Sequence, residues 1–319
     1  MKIISNPTHN EIIRAAKALK DGHLVAFPTE TVYGLGADAT NTKAVSHIYS
    51  VKGRPIDHPL IVHISSINQL DKWAVNVPEY AVKLAKEFWP GPMTLILKRS
   101  DLAKNFITGG QDNVGLRVPM HHVALALLAQ FDEIGGCGVA APSANRFGAV
   151  SPTNSDAVDE ELGKFLNKKD LILDGGQCQV GIESTIIDCT KGAPSVLRPG
   201  TITTEMIEKE TLVRVISSGN EIKVKASGLL GSHYSPKAKV VLNSVTFPGD
   251  GFLALENIPT PTGATRLATP PTIEQFAIEL YRALRTGDQM GIKRIVVIQP
   301  EGDGLAVGIR DRLSKAASV

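Results

Sequence analysis

The chain is broken by short apolar runs that end abruptly in proline, glycine and hydroxyl residues. Residues 24–27 stop at Pro28 and give way to Thr29, Glu30 and Thr31. Residues 138–141 stop at Pro142 and give way to Ser143, Ala144 and Asn145, and residues 171–173 run into Asp174-Gly175-Gly176. Runs this short, bounded by turn residues, suit buried strands rather than helices. Between them lie stretches with apolar residues at helical spacing, such as Val45, Ile48 and Tyr49 in 42–51. Strands that alternate with helices, with some strands following one another directly, predict an α/β fold with a mixed sheet. Strand ends rich in polar groups and glycine are where open α/β sheets place their ligands.

Taken in order, Thr8-His9-Asn10-Glu11 fits a capping box, followed by an apolar helical face at Ile12, Ile13, Ala16 and Leu19 and a stop at Gly22. The helix over 42–51 delivers Lys52-Gly53-Arg54-Pro55 from its C-terminus. Strands are expected at 60–64, 93–97, 115–118 and 184–189, and helices at 77–88 and 123–131. The segment 196–200 closes the set. Glycines at 34 and 36 read as a tight turn. Beyond Pro199 the texture changes. Residues 226–236 hold glycines and a His233-Tyr234 pair with little periodicity, as in a linker or ordered loop. A second unit starts near Ala238, with strands at 240–242, 252–255 and 294–298 and helices at 273–284 and 304–317, a small Rossmann-like pattern. Residues 257–271, rich in Pro, Thr and Gly, read as a loop. At 319 residues the chain is long for one core. The division expected is 1–210, a linker and lid at 211–237, and a second domain at 238–319.

Composition removes several function classes. A net charge of +2 gives no overall drive toward nucleic acid or an anionic membrane, so anion binding has to come from a local cluster. Three cysteines without metal-type spacing argue for a reducing interior and no disulfide framework. No apolar run is long enough to span a bilayer and no signal-peptide pattern is present, which points to the cytoplasm. There is no Gly-x4-Gly-Lys-Ser/Thr loop and no His-Glu-x-x-His or paired-cysteine motif. Gly34-Leu35-Gly36-Ala37-Asp38-Ala39 fits the loose dinucleotide pattern, but the strand that follows offers no acidic residue for a ribose.

What remains is an unusual polar set at the strand ends. Lys52, Arg54, Arg117 and Arg198 bring cations from four separate loops; Thr31, Ser143, Ser151 and Ser184 bring hydroxyls; His58, His63 and Asn145 add hydrogen-bonding groups. Each alone has a plain structural reading: a solvated surface cation, a satisfied histidine, a turn cap. Together, on one sheet edge, they suit a carboxylate or polyphosphate, because Arg grips such groups bidentately and Lys supplies a point charge.

These segments also carry a resemblance. Pro28-Thr-Glu-Thr-Val-Tyr-Gly-Leu-Gly36, Lys52-Gly-Arg54-Pro, Gly115-Leu-Arg117-Val-Pro, Ala-Pro-Ser143-Ala-Asn145, Gly181-Ile-Glu-Ser184-Thr and Leu-Arg198-Pro-Gly resemble the threonylcarbamoyl-AMP synthase family, the Sua5/YrdC/YciO group. His233-Tyr234-Ser-Pro, Leu280-Tyr-Arg-Ala-Leu and Asp311-Arg-Leu are similar to its longer, two-domain type. The resemblance implies a YrdC-like catalytic domain with a twisted mixed sheet, and a C-terminal Sua5-type domain. It implies a reaction of L-threonine, bicarbonate and ATP to threonylcarbamoyl-AMP and pyrophosphate, with Mg2+ carried on the phosphates. A separate enzyme would then transfer the product to adenosine 37 of tRNA, with no stable tRNA binding by this chain. Carried over by position, Thr31, His63, Arg117, Ala141 and Ser184 would hold threonine. Arg54, His58, Asn113, Ser143, Ser151, Arg198 and Tyr234 would hold ATP. Lys52, Arg54 and Ser143 would face bicarbonate and the α-phosphate, with Asn145 orienting their loop. Tyr234 would fold over the nucleotide. The rival readings are a non-enzymatic RNA-binding relative of the same fold and a dinucleotide oxidoreductase built on Gly34 and Gly36.

Overall fold

The computed structural model describes residues 2–216 and 234–318. Its larger sheet is formed by β1 (Lys2–Ser5), β2 (Val25–Phe27), β3 (Gly34–Asp38), β4 (Ile61–His63), β5 (Met93–Lys98), β6 (Asn113–Arg117), β7 (Val139–Ala140), β8 (Leu171–Asp174), β9 (Thr185–Asp188) and β10 (Ser195–Arg198). Their order is β1-β8-β2-β3-β7-β4-β6-β5-β9-β10. The sheet is mixed, as expected: β4 and β6 run parallel, whereas β7 is antiparallel to both β3 and β4.

The period of two in 24–27 decides how this sheet is covered. Val25 and Phe27 pack with α1 (His9–Lys20) and, later in the chain, α6 (His122–Glu133); Leu24 and Ala26 point the other way, into a core shared with α2 (Thr42–Lys52) and α4 (Glu79–Phe88). The short helices α3 (Leu70–Trp73) and α5 (Asn105–Thr108), with α7 (Ser155–Leu162) and α8 (Thr204–Thr211), complete this unit. The capping box forms: the Thr8 N–H donates to the Glu11 carboxylate at 3.0 Å. The buried stripe of α1 is Ile12, Ala15, Ala16 and Leu19. Ile13 is only half-buried because it lies a turn-fraction off that 12/15/16/19 line, so Ala15 takes the inner place. Burying a leucine such as Leu19 is worth about 2 kcal/mol.

Two expectations need correction. Gly34 and Gly36 are not a turn; they sit in β3, fully buried and paired with Phe27 and Val25 of β2. Glycine is needed there for closeness: a Cβ on Gly36 would stand 2.8 Å from the Phe27 ring and 2.8 Å from a Val139 methyl. The same fact removes the dinucleotide reading, since these glycines do not lie between a strand and a helix. The loop expected over 257–271 contains a strand, β13 (Thr265–Ala268). It is read as loop because Pro, Thr and Gly crowd around a short run that is only half-buried.

The second sheet is wholly parallel, ordered β11-β14-β12-β13, from β11 (Lys239–Leu242), β12 (Gly251–Leu253), β13 and β14 (Arg294–Val297), with α9 (Ile273–Gln289) and α10 (Leu305–Ala316). Its core does not stop at its own boundary. Val32, Val150 and Ile182 of the larger unit join Phe276, Leu280, Ile309 and Leu313 in one apolar cluster, with Tyr234 among them. Backbones meet directly at this seam: a Cβ on Gly181 would fall 2.3 Å from the Ala277 carbonyl oxygen, and one on Gly308 3.2 Å from the Gly200 Cα. Among the described residues no helix is long and apolar enough to cross a membrane.

Candidate active site

The connection from β2 to β3 is a hydroxyl-built turn. The Thr29 hydroxyl accepts from the N–H groups of Thr31 and Val32 and donates to the Val32 carbonyl at 2.6 Å. This presents Glu30 and Thr31 toward the end of β6. There Arg117 is ion-paired with the Glu30 carboxylate at 2.7 Å, and its Nη2 donates to the Thr31 hydroxyl at 2.9 Å. The other Glu30 oxygen accepts from the Met120 N–H at 3.0 Å. Arg117 is buried yet fixed in one orientation, as a bidentate receptor for a carboxylate requires. Beside it, His63 stands edge-on to Phe27, with ring centroids 5.9 Å apart. Burial, and then the Arg117 charge, lower the His63 pKa to about 3, so this imidazole is neutral at physiological pH.

A second group is organised by the end of α2. Gly53 takes the left-handed conformation, φ 62°, and turns the chain out of the helix just after Lys52. The Lys52 ammonium donates to the carbonyls of Ser143 and Asn145, tying the helix end to the loop after β7. Asn145 fixes that loop from the other side, its Nδ2 donating to the carbonyls of Arg146 and Ala149, each at 2.8 Å. Burial first, then the neighbouring Arg54, push the Lys52 pKa well down. Arg54 itself donates to the Pro59 carbonyl at 3.0 Å and lies over the Phe147 ring, which His58 also meets edge-on.

A third group enters from the β9–β10 hairpin. Arg198 donates through Nε and Nη2 to the Ser184 carbonyl, at 3.0 and 2.8 Å, and its Nη2 reaches the Ser184 hydroxyl at 3.1 Å. Glu183 accepts from the Ser151 hydroxyl at 2.6 Å, from the Tyr281 hydroxyl at 2.9 Å and from Arg312 Nε at 2.8 Å. Burial alone would raise its pKa, but Arg312, Arg198 and these hydrogen bonds hold the carboxyl down to about 2. Tyr234, buried and with φ 64°, stacks on Tyr281 at 5.7 Å.

These groups enclose one cavity. Of the residues expected in the site, His63, Arg117, Ala141, Ser143, Ser184, Arg198 and Tyr234 line it. Thr31 and Ser151 stand directly behind, bonded to Arg117 and to Glu183, and Lys52 and Asn145 brace the Ser143 loop. Arg54 and His58 gather around Phe147, and Asn113 is half-buried at the far start of β6, outside that lining. His233 and most of the expected lid lie outside the described residues. The arrangement is not on one sheet edge. β4 and β7 are antiparallel, so His63 and Ala141 leave opposite ends of that pair, and the cavity spans the sheet over Ile61. Two carboxylates were not foreseen, Glu30 and Glu183. Both stand inside the quoted motifs, but a lone glutamate in a motif reads as a solvated side chain until the arginine it meets is seen. Among the described residues no group of three or more His, Cys, Asp or Glu is placed to hold a metal ion.

The chain has clear relatives. Residues 17–200 match the Sua5/YciO/YrdC family model, described as "Telomere recombination", and residues 202–318 match "Threonylcarbamoyl-AMP synthase, C-terminal domain". It is 38% identical to the threonylcarbamoyl-AMP synthase of Pyrococcus abyssi, over 95% of this chain and 93% of that protein. It is 38% identical to that of Bacillus subtilis, over 96% and 93%. The crystal structure of P. abyssi Sua5 complexed with L-threonine superposes with a TM-score of 0.88 at 37% identity, covering 99% of this chain and 98% of that one. With both models matched in succession and relatives aligned along nearly its whole length, the chain belongs to the threonylcarbamoyl-AMP synthase family, in the form that carries the additional C-terminal domain.

Proposed function

We propose that this chain condenses L-threonine, bicarbonate and ATP into threonylcarbamoyl-AMP and releases pyrophosphate. The observation that carries the reading is Arg117: a buried guanidinium, locked by Glu30 and Thr31, lining a cavity that also holds the hydroxyls of Ser143 and Ser184, a neutral histidine, a second buried arginine and the paired Glu183 carboxylate among apolar residues. Arg117 takes the threonine carboxylate, with Thr31, Ser184, neutral His63 and the Ala141 backbone around the amino acid. The neutral amine adds to the carbon of bicarbonate, with loss of water, or to that of CO2, with loss of a proton to solvent, and gives a carbamate in either case. A carbamate oxygen then attacks the α-phosphorus in line, and the bond to the leaving pyrophosphate breaks. Such a step needs positioning and charge neutralisation more than a nucleophile, which suits a site of cations and hydroxyls. Lys52, Arg54 and Ser143 face the bicarbonate and α-phosphate, and Asn145 keeps their loop in place. Arg54, His58, Asn113, Ser143, Ser151, Arg198 and Tyr234 hold ATP, whose phosphates arrive with Mg2+ as part of the substrate. Arg54 and His58 meet the part of ATP that extends beyond the cavity toward Phe147.

In this reading residues 1–210 are the catalytic unit, 211–237 the connecting lid and 238–319 the second domain. The adenylate is handed on in the cytoplasm to an enzyme that threonylcarbamoylates adenosine 37 of tRNA. The test is pyrophosphate release from ATP with threonine and bicarbonate omitted in turn. Release that needs both supports the proposal. ATP cleavage without threonine makes the protein a hydrolase, and RNA binding without any release makes the cavity a binding surface; either result overturns it.

A further inference from the structure

The C-terminal unit contributes a charged side chain to the cavity wall from behind. Arg312, on α10, is completely buried. Its Nε donates to Glu183 Oε2 at 2.8 Å, its Nη2 to the Glu183 carbonyl at 3.1 Å, and its Nη1 to Asp311. Its guanidinium lies 5.6 Å from the centroid of the Tyr234 ring. Tyr281, on α9, donates to the same Glu183 oxygen. The remaining Glu183 oxygen takes the Ser151 hydroxyl. Glu183 and Tyr234 line the cavity; Arg312, Tyr281 and Ser151 do not.

We propose that Arg312 is a positioning residue for the reaction: through Glu183 and Tyr234 it fixes the nucleotide side of the cavity, so that the second domain is part of the active site. The proposal rests on the functional reading above, since it assigns Ser151 and Tyr234 to ATP. Its physical basis is geometry. A guanidinium forks two donors onto one residue, side chain and backbone together, which sets both the carboxylate direction and the course of the chain into Ser184. The Ser151 hydroxyl can point only where Glu183 lets it. The close approach of Gly308 to Gly200 and of Gly181 to Ala277 leaves α9 and α10 no slack against the loops that carry Glu183 and Arg198.

The test is steady-state pyrophosphate formation by full-length Arg312→Met, Arg312→Lys and Tyr281→Phe, with the KM for ATP and for threonine measured separately. Expected is an ATP KM raised about tenfold in Arg312→Met and about threefold in Tyr281→Phe, partial recovery in Arg312→Lys, and a threonine KM within about twofold of the parent. A folded Arg312→Met with the parent's ATP KM overturns the proposal. So does an equal rise in both KM values together with a lowered melting temperature, which marks a prop for the fold only. Should Arg312→Met show no cooperative melting, Tyr281→Phe decides, because it removes a single hydroxyl: an unchanged ATP KM overturns the proposal and a raised one supports it. A parent that releases no threonine-dependent pyrophosphate overturns the functional reading, and this one with it. A working parent whose variants keep its ATP KM overturns only the role of Arg312.

Discussion

Two buried carboxylate–guanidinium pairs flank the same cavity and face it with opposite members. In Glu30–Arg117 the arginine lines the cavity and the carboxylate stands behind it; in Glu183–Arg312 the carboxylate lines the cavity and the arginine stands behind. Their separations, 2.7 and 2.8 Å, are almost equal. Buried ion pairs add little net stability over apolar replacements of the same size, so their value lies in what they hold in place. The first pair presents a fixed positive charge. The second presents a neutralised acceptor that aims a serine hydroxyl. The first is made within one unit, between the β2–β3 connection and the end of β6; the second joins the two units.

Lys52, which belongs to neither pair, gives the largest expected effect. Lys52 is held by two carbonyls, with no carboxylate at contact distance among its hydrogen-bond partners. Lys52→Ala should therefore lower turnover by about a thousandfold with the fold intact, seen in pyrophosphate release beside an unchanged far-ultraviolet dichroism spectrum. Near-parent turnover would mean that its charge does not meet the α-phosphate. Next comes the first pair itself. Arg117→Met should raise the threonine KM by about a hundredfold while ATP binding holds, and Glu30→Gln by about tenfold, since it loosens the receptor without removing it. Equal losses in the two variants would break the distinction between facing and backing members. Smaller again, Tyr234→Ala should weaken ATP binding about fivefold by calorimetry and leave threonine affinity alone, because it removes a wall and not a charge. Equal ATP affinity in variant and parent would count against a nucleotide role for that ring.

The subtlest contrast is in acid. The folded Glu183 carboxyl is held down to about 2 from an ordinary 4.5, so the unfolded chain binds a proton there that the folded chain does not. The stability it contributes is complete above about pH 4.5 and is lost as pH falls toward 2. Denaturant titrations of Glu183→Gln should show a shallower decline across that window than the parent. An identical slope would show that Arg312 and its neighbours do not hold the charge.

Much of this was legible residue by residue, and what was not has a physical cause. The capping box at Thr8 and Glu11, the helix that delivers Lys52 and Arg54 from its C-terminus and the strands bearing His63, Arg117 and Arg198 are local signals, and they appear where the sequence places them. β3 was read as a turn because glycine has two uses, left-handed backbone and close packing, and sequence alone does not separate them. The sheet-edge site failed for a related reason: alternation of strands and helices does not reveal that β7 runs against β4. Glu30 and Glu183 are anonymous carboxylates until Arg117 and Arg312 arrive. The second of those lies 129 residues away in sequence and belongs to another core, so no local pattern pairs them.

The bare α-carbon of Gly36 has a mechanical meaning. Phe27 occupies the space a methyl group would need, and the same ring meets His63, which lines the cavity. Gly36 thus acts as a spacer of zero thickness against Phe27, the ring on which the cavity-lining His63 stands edge-on. A chain with alanine there would have to displace the Phe27 ring or the Val139 methyl, and with the ring the support of one wall residue, His63.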